Sequence, residues 1–138
     1  MKKRNVKIIT IILVIIFVAV YFKCTRLKAD LDVTKVYSIE YSFDNYDNGN
    51  FDCIDGEITD KDEISKIVKY FNSITLLSTP KKPKDATQGL SFKDKEGNVI
   101  KGYAFGASVL WDGNKTYMFG DYYQNKIKKL LSIDETAK

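Results

Sequence analysis

The most constraining feature of the sequence is a run of fifteen uncharged residues, IITIILVIIFVAVYF, from Ile8 to Phe22. Apolar side chains occupy nearly every position of a helical wheel, so a water-soluble helix with one buried face does not explain this segment. At about 1.5 Å per residue the run covers ~22 Å, which is less than the ~30 Å hydrocarbon core of a bilayer. If Lys7 and Lys23 extend their stems toward the headgroups, the run reaches the lower limit for a transmembrane helix.

The surrounding sequence favours an uncleaved signal anchor, with residues 1–7 as a cytoplasmic basic tail and 8–23 as the transmembrane segment. The alternative is a cleaved signal peptide, whose hydrophobic region has the same length. The stretch VYFKC from Val20 lacks a small-x-small cleavage site, and Lys23 replaces the small residue that precedes the lipid-accepting cysteine of a lipoprotein. Four basic side chains precede the run, so the positive-inside rule places the N-terminus in the cytoplasm and the C-terminal part outside the membrane.

Charge is distributed unevenly along the chain. The whole sequence has 22 basic and 18 acidic residues, a net charge of +4 and a pI near 8.9. Seven of the basic residues and none of the acidic ones lie before residue 29, so the rest of the chain carries 15 basic and 18 acidic residues, a net charge of −3. A basic pI is typical of proteins that bind nucleic acid. Here the basic pI results from the N-terminal segment before residue 29, which contains the predicted membrane anchor. No nucleic acid partner is predicted.

The chain has no histidine. Nucleophilic dyads that use histidine as the base, and zinc or iron sites with histidine ligands, therefore cannot be assembled from this chain alone. Acidic pairs such as Asp60 with Asp62, or Asp55 with Glu57, suit helix capping or an exposed strand edge better than acid–base catalysis. The sequence predicts a protein that is not an enzyme and that uses no cofactor.

Two cysteines, Cys24 and Cys53, allow two interpretations. Outside the membrane they can form a disulfide, although Cys24 lies at the edge of the bilayer and Cys53 would have to approach it closely. In the alternative both are free thiols and Cys53 is partly buried. The sequence leaves this choice open.

Residues 24–32 are predicted to form a polar juxtamembrane connector, and 33–138 a single extracytoplasmic α+β domain. Period-2 alternation, or apolar runs between turn sequences, predicts strands at 36–43, 51–58, 74–77, 89–93, 99–105, 108–111 and 116–119. Helices are predicted after the N-cap residues Thr59 and Asp60 and from Asp121, which has Gln124 three residues on as in a capping box. Because most strands are joined by tight turns, the order β-β-α-β-β-β-β-β-α predicts an antiparallel sheet with two amphipathic helices on one face.

The first candidate site is the acidic stretch DNYDNGNFDCID, residues 44–55. When it is aligned with an EF-hand loop, five residues suit their positions in that loop: Asp44, Asn48, Gly49, Phe51 and Asp52. Tyr46 and Asp55 do not match the calcium pattern, and the flanking segments have the pattern of strands. A solvated hairpin turn is therefore the alternative to a Ca²⁺ site.

The second candidate site consists of aromatic residues. The chain has nine Tyr, eight Phe and one Trp. Tyr and Trp offer a large contact area at low entropic cost, which suits a binding surface. The members predicted to form such a surface on the last third of the chain are Tyr103, Trp111, Tyr117, Tyr122 and Tyr123. The alternative is that these side chains pack a small core.

This arrangement resembles the small membrane-anchored extracytoplasmic domains of Gram-positive bacteria, a family of domains of unknown function. The resemblance is carried by the basic leader with its single apolar run, the capped helix that begins TDKDEI at residues 59–64, the proline-lysine loop at 79–85 and the hairpins that end in a Tyr-Tyr-headed helix. It implies an envelope location and an antiparallel α+β fold similar to the β-lactamase-inhibitor-protein type of helix-and-sheet module. It assigns no functional residue.

The sequence therefore predicts a non-enzymatic interaction domain on the outer side of the cell membrane, anchored in the lipid bilayer through residues 8–22. Such a domain would present its sheet or its hairpin tips to an envelope protein or a cell-wall ligand. The alternative function is a small-ligand or Ca²⁺-sensing domain that uses the acidic hairpin 44–55.

Overall fold

The computed structural model describes residues 2–25, 27, 29–47, 50–81, 86–106 and 108–133; the side chains of residues 2–5, 22–25, 45–47, 50 and 51 lie outside the described part. Within these ranges the chain forms three helices, α1 (Lys2–Thr25), α2 (Lys61–Ser73) and α3 (Asp121–Leu130). The strands are β1 (Ser38–Asp47), β2 (Asn50–Ile58), β3 (Ser78–Thr79), β4 (Gln88–Lys93), β5 (Val99–Gly106), β6 (Val109–Trp111) and β7 (Thr116–Met118). The order of elements after α1 is the one that the sequence predicts.

All seven strands belong to one antiparallel sheet with the order β2-β1-β4-β5-β6-β7-β3. Two of the pairings join segments that are distant in sequence. β1 pairs with β4, where Ile39 is opposite Phe92, and β3 pairs with β7, where Ser78 is opposite Tyr117. β2 and β3 are therefore the two edge strands of the sheet. The predicted α+β class with an antiparallel sheet is confirmed.

Helices α2 and α3 pack on the same face of this sheet. In α2 the apolar residues recur at i, i+3, i+4 and i+7, so Ile64, Ile67, Val68 and Phe71 lie on one side of the helix and are at most 2% exposed. In α3 the residue that faces the core is Ile127, which is 1% exposed and belongs to the same hydrophobic cluster. The helices therefore bury their apolar faces against one face of the sheet, which consists of every second residue of each strand.

Aromatic rings fill much of the space between the helices and the sheet. The ring of Phe71 stacks on Tyr103 with 5.0 Å between centroids and meets Phe92 edge-on at 5.3 Å. Such ring pairs add about 0.5–1.5 kcal/mol each beyond the area they bury. A second series of stacked rings crosses the core from β1 to α3: Phe43, Phe105, Phe119 and Tyr123, with centroid separations of 5.9, 5.2 and 5.4 Å.

The packed core begins earlier in the chain than the predicted boundary at residue 33. Leu27, Ala29 and Leu31 are at most 9% exposed, although the sequence placed them in the connector 24–32. Asn72 of α2 fixes this segment with two hydrogen bonds, because its Oδ1 accepts the N–H of Leu31 (3.0 Å) and its Nδ2 donates to the carbonyl of Leu31 (2.8 Å). The sequence pattern alone did not indicate this, because the burial of these residues depends on their contact with α2.

Helix α1 covers the segment 8–23 that was predicted as the membrane anchor and extends it to Lys2 and Thr25. Its described side chains, from Val6 to Tyr21, are all exposed, and Phe17 is 72% exposed. Among the described residues, no helix combines the length and the apolarity that are needed to cross a membrane.

The strand predictions are wrong in two regions, the first hairpin and the segment after α2. The segment 44–50, which the sequence left between the predicted strands 36–43 and 51–58, is mostly strand, because β1 continues to Asp47 and β2 begins at Asn50. Pairing with the neighbouring strand overrides the turn propensity of Asp and Asn in this stretch. The strand predicted at 74–77 lies instead at Ser78–Thr79, where it pairs with β7.

The start of α3 also differs from the prediction. Its N-cap is Gly120, which has no side chain, and Asp121 is the first helical residue. Gln124, which was predicted to complete a capping box, donates from Nε2 to the carbonyl of Phe119 at 3.5 Å. An acidic residue in the first turn still interacts favourably with the helix dipole.

Helix α2 begins as predicted, with Asp60 as its N-cap. One carboxylate oxygen of Asp60 accepts the backbone N–H groups of Asp62 (3.0 Å) and Glu63 (2.9 Å). Two of the N–H groups that a helix start leaves without a partner are satisfied in this way.

Replacing Asp60 with alanine is expected to lower the free energy of unfolding by about 1 kcal/mol, because those two donors lose their acceptor. Asp60→Asn is the matched control, since the amide oxygen of asparagine accepts the same bonds and most of the stability should remain. The measurement is denaturant unfolding of the full chain in neutral detergent, followed by circular dichroism. An equal loss in both variants would show that capping does not explain the effect.

Candidate functional site

The face of the sheet opposite the helices contains an open cavity of about 880 Å³, which we call the trough. Along β1, Ile39, Tyr41 and Phe43 point to the helices, and the alternating residues Glu40 and Ser42 point to the trough. The floor of the trough consists of Ser42, Gly89, Ser91, Gly102 and Ala104; one wall consists of Glu40, Asp55 and Glu57, and the other of Trp111.

Small residues in the two central strands give the trough its depth. In the pairing of β4 with β5, Gly89 is opposite Ala104 and Ser91 is opposite Gly102. A Cβ on Gly89 would lie 3.2 Å from the carbonyl oxygen of Tyr103, so a larger residue at this position requires a shift of the backbone. A Cβ on Gly102 would have its nearest neighbours at 3.9 Å, an ordinary contact. Gly102 is therefore a position where a side chain can be added to fill the floor.

Carboxylates dominate the wall on the side of β2. Asp55 and Glu57 are exposed, and neither takes part in an ion pair within the described part of the chain. Glu57 is directly opposite Glu40 in the β1–β2 ladder, an arrangement of like charges that is unfavourable in a sheet. Lys93 forms an ion pair with Glu40 and offsets part of this repulsion. The wall still carries an excess of negative charge.

Cys53 lies beside this wall on the edge strand β2 and carries a free, exposed thiol. Its Sγ is 3.1 Å from Ser42 Oγ and 3.6 Å from Asp55 Oδ1. The interpretation of Cys53 as a partly buried thiol is therefore wrong. The side chain of Cys24 lies outside the described residues, so a pairing of the two cysteines stays untested.

The opposite wall is Trp111, the one tryptophan of the chain. It ends β6, pairs with Ala104 on one side and Thr116 on the other, and is 41% exposed. Ala104 is too small to cover an indole ring. Since β2 and β6 are four strand positions apart in the sheet, the two walls are separated by roughly 19 Å at about 4.8 Å per strand.

The five aromatic residues predicted as a binding surface do not lie together. Tyr103 and Tyr117 are only 3% and 4% exposed and belong to the core on the helix side, which removes them from the predicted surface. Tyr123 is partly buried against the same core. The exposed members are Trp111 in the trough and Tyr122 on α3, and the sheet separates them.

Sequence analysis missed the floor and the acidic wall of the trough. The sequence did contain a pattern that places these residues on one face of each strand. Glu40 and Ser42 alternate with apolar residues in β1, and Asp55 and Glu57 are two positions apart in β2. Alternation shows which residues of one strand share a face. It does not show which strands are neighbours, and the trough arises only because β1 pairs with β4.

The acidic segment 44–55, predicted as a candidate Ca²⁺ loop, forms two paired strands. Asp44 is opposite Cys53, and its Oδ2 accepts a hydrogen bond from the hydroxyl of Thr87. Asn48 and Gly49, two of the residues that matched the EF-hand loop, lie outside the described residues. Within the described part of the chain, no group of three or more cysteine and acidic side chains is arranged to hold a metal ion.

Asp112 organises the β6–β7 turn at the rim of the trough. Its Oδ1 accepts the backbone N–H groups of Asn114 (3.0 Å) and Lys115 (2.8 Å), and its Oδ2 accepts the hydroxyl of Tyr117 (3.3 Å). The ammonium of Lys101 lies 3.9 Å from Oδ2. Burial raises the pKa of Asp112, but the bonds from Lys115 and Asn114 and the charge of Lys101 outweigh burial, so the pKa lies below its ordinary value of 3.8.

Comparison of the chain with protein-family models, with curated proteins and with solved structures gives no match.

The lowered pKa of Asp112 predicts a contribution to the acid sensitivity of the fold. As the pH falls below 3.8, the unfolded chain takes up a proton at Asp112 before the folded chain does, so stability decreases until the pH has passed the folded-state pKa. Asp112→Asn keeps an oxygen acceptor but cannot titrate. Unfolding free energies measured from about pH 5 to pH 2 should therefore fall less steeply in this variant. Parallel curves for the two proteins would contradict the prediction.

Proposed function

We propose that this protein is a membrane-anchored, extracytoplasmic binding domain without catalytic activity, and that the trough is its binding surface. In this proposal α1 holds the chain in the cell membrane, with the N-terminus in the cytoplasm. The domain from Leu27 onward lies outside, where the trough meets a protein or another ligand of the envelope.

The membrane anchor is supported by the composition and exposure of α1. Its fifteen residues from Ile8 to Phe22 have no charge, and its described side chains are exposed all round. Exposed apolar surface of this extent is unfavourable in water. The uncharged run is short, so we propose a minimal span in which Lys7 and Lys23 reach to the headgroup regions.

The position of the domain relative to the membrane follows from the short link between them. α1 ends at Thr25, and Leu27 is already part of the core at 4% exposure. Only one residue therefore separates the end of α1 from the packed domain. In the proposed arrangement the domain lies directly at the outer surface of the membrane.

The trough is the single observation that carries the binding function. It is a concave surface with an exposed tryptophan on one side and exposed carboxylates on the other, and its floor has no bulky side chain. Concave sites of several hundred Å³ that combine aromatic surface with a few polar groups are typical of ligand binding. The cross-strand repulsion between Glu40 and Glu57 is also better explained by a role in binding than by stability.

The topology is testable through the exposed thiol of Cys53. In intact cells a membrane-impermeant maleimide should label Cys53 of the full-length Cys24→Ser variant, which has no other cysteine, and adding Cys53→Ser should remove that labelling. Lysed cells provide the reference for complete reaction. Labelling of Cys53 only after lysis would place the domain in the cytoplasm and overturn the proposed location.

The binding surface is testable by site-specific photocrosslinking in intact cells. A photoreactive phenylalanine analogue at Trp111 should form adducts with a ligand of the envelope, because this side chain faces the trough. The same analogue at Tyr122 is the matched control, since Tyr122 is an aromatic residue with 76% exposure on the helix side. Adducts should be absent or minor at this control position.

Two outcomes of the crosslinking would contradict the proposal. Adducts that form at Tyr122 but not at Trp111 would place the binding surface on the helix side. Absence of adducts at both positions, in cells where the protein is labelled from outside, would show that the trough has no ligand there.

A further inference from the structure

We propose that the trough binds an extended basic segment of a partner protein, which lies across the strands from the acidic wall to Trp111. This inference rests on the proposed function, because it names the ligand class for the same surface. Its four elements are the charge of the wall, the exposed indole, the distance between them and the size of the floor residues.

Within the described residues, the acidic wall carries more negative charge than its neighbouring lysine balances. Lys93 is engaged with Glu40, whereas Asp55 and Glu57 are in none of the ion pairs of the described residues. A lysine or arginine side chain placed between Glu40 and Glu57 would replace their repulsion with two attractive contacts. Because the wall is exposed, salt would screen these contacts and weaken the binding.

The other wall also accepts a positive charge. A guanidinium or ammonium group over an indole ring gains cation–π attraction, and tryptophan is the most favourable ring for it. Trp111 is 41% exposed and is adjacent to the small Ala104, so a ligand group has access to the ring. A ligand with one basic side chain at each end therefore fits both walls.

The distance between the walls indicates the length of the ligand. An extended chain advances about 3.3 Å per residue, so about six residues span the roughly 19 Å from β2 to β6. A small cation reaches only one wall. Along the floor, Gly89, Ser91, Gly102 and Ala104 have no side chain larger than a hydroxymethyl group, and a peptide backbone has room to lie close to the sheet.

The same charges exclude other ligand classes. Asp55 and Glu57 repel phosphate groups, so nucleic acids and anionic wall polymers are disfavoured at this surface. A second copy of this chain is disfavoured in the same way when it approaches with its own acidic wall. A basic, extended polypeptide segment fits all of these features.

The test is a titration of the full-length protein in neutral detergent with the peptide Arg-Gly-Ser-Gly-Ser-Arg. Tryptophan emission reports binding directly, because Trp111 is the one tryptophan of the chain. We expect a saturable change in emission that weakens as the salt concentration rises. The peptide with glutamate in place of both arginines should give no saturable change.

Three variants test the site. Glu57→Lys should weaken binding about tenfold or more through loss of a charged contact, and it should stay folded because lysine forms an attractive pair with Glu40. Glu96→Lys is the matched control in the β4–β5 turn, with the same change of charge away from the trough. Gly102→Val fills the floor without a close contact at its Cβ and should also weaken binding. Circular dichroism and melting temperature confirm that each variant is folded.

The possible outcomes separate this inference from the proposed function. Equal binding of Glu57→Lys and the native protein, or equal losses in Glu57→Lys and Glu96→Lys, would overturn the trough as the peptide site. If argininamide, which carries one guanidinium and reaches only one wall, binds as tightly as the peptide, the site is one for small cations and the peptide inference is wrong. If adducts form at Trp111 in cells but the arginine peptide does not bind, the proposed function stands and only the ligand class is overturned.

Discussion

The architecture depends on one constraint: a seven-stranded sheet has two faces, and two amphipathic helices cover only one of them. Phe71 of α2 packs between Phe92 and Tyr103, and this contact ties the helix layer to the central strands. The apolar residues of the sheet therefore point to that side. The opposite face is left to glycine, serine, alanine and charged residues, and the trough lies there.

In the proposed function, this division separates the residues that stabilise the fold from the residues that bind. Burial of aromatic and aliphatic side chains on the helix side stabilises the fold, so the residues of the trough need not contribute to it. Glu40 and Glu57 can face each other in the ladder because the cost of one like-charged pair is small compared with the buried core.

The fold was more predictable from the sequence than the site. The N-cap at Asp60 and the spacing of Ile64, Ile67, Val68 and Phe71 are local signals, and they were sufficient to predict α2. Local signals failed where long-range pairing decides the structure, as in β3, which forms at 78–79 because β7 is available there. They failed again at Leu27 and Leu31, whose burial depends on contact with α2.

The sequence by itself determined the order of elements, the α+β class and the separation of a basic apolar leader from an acidic remainder, because these follow from local periodicity and charge. It did not determine which aromatic residues are exposed. Tyr103 and Trp111 both lie in segments that the sequence predicts as strands, yet Tyr103 is 3% exposed and Trp111 is 41% exposed. The tertiary structure decided which aromatic residues are exposed. A residue's position along a strand determines which face of the sheet its side chain lies on. Which face is covered depends on the pairing of β1 with β4 and on the placement of the helices.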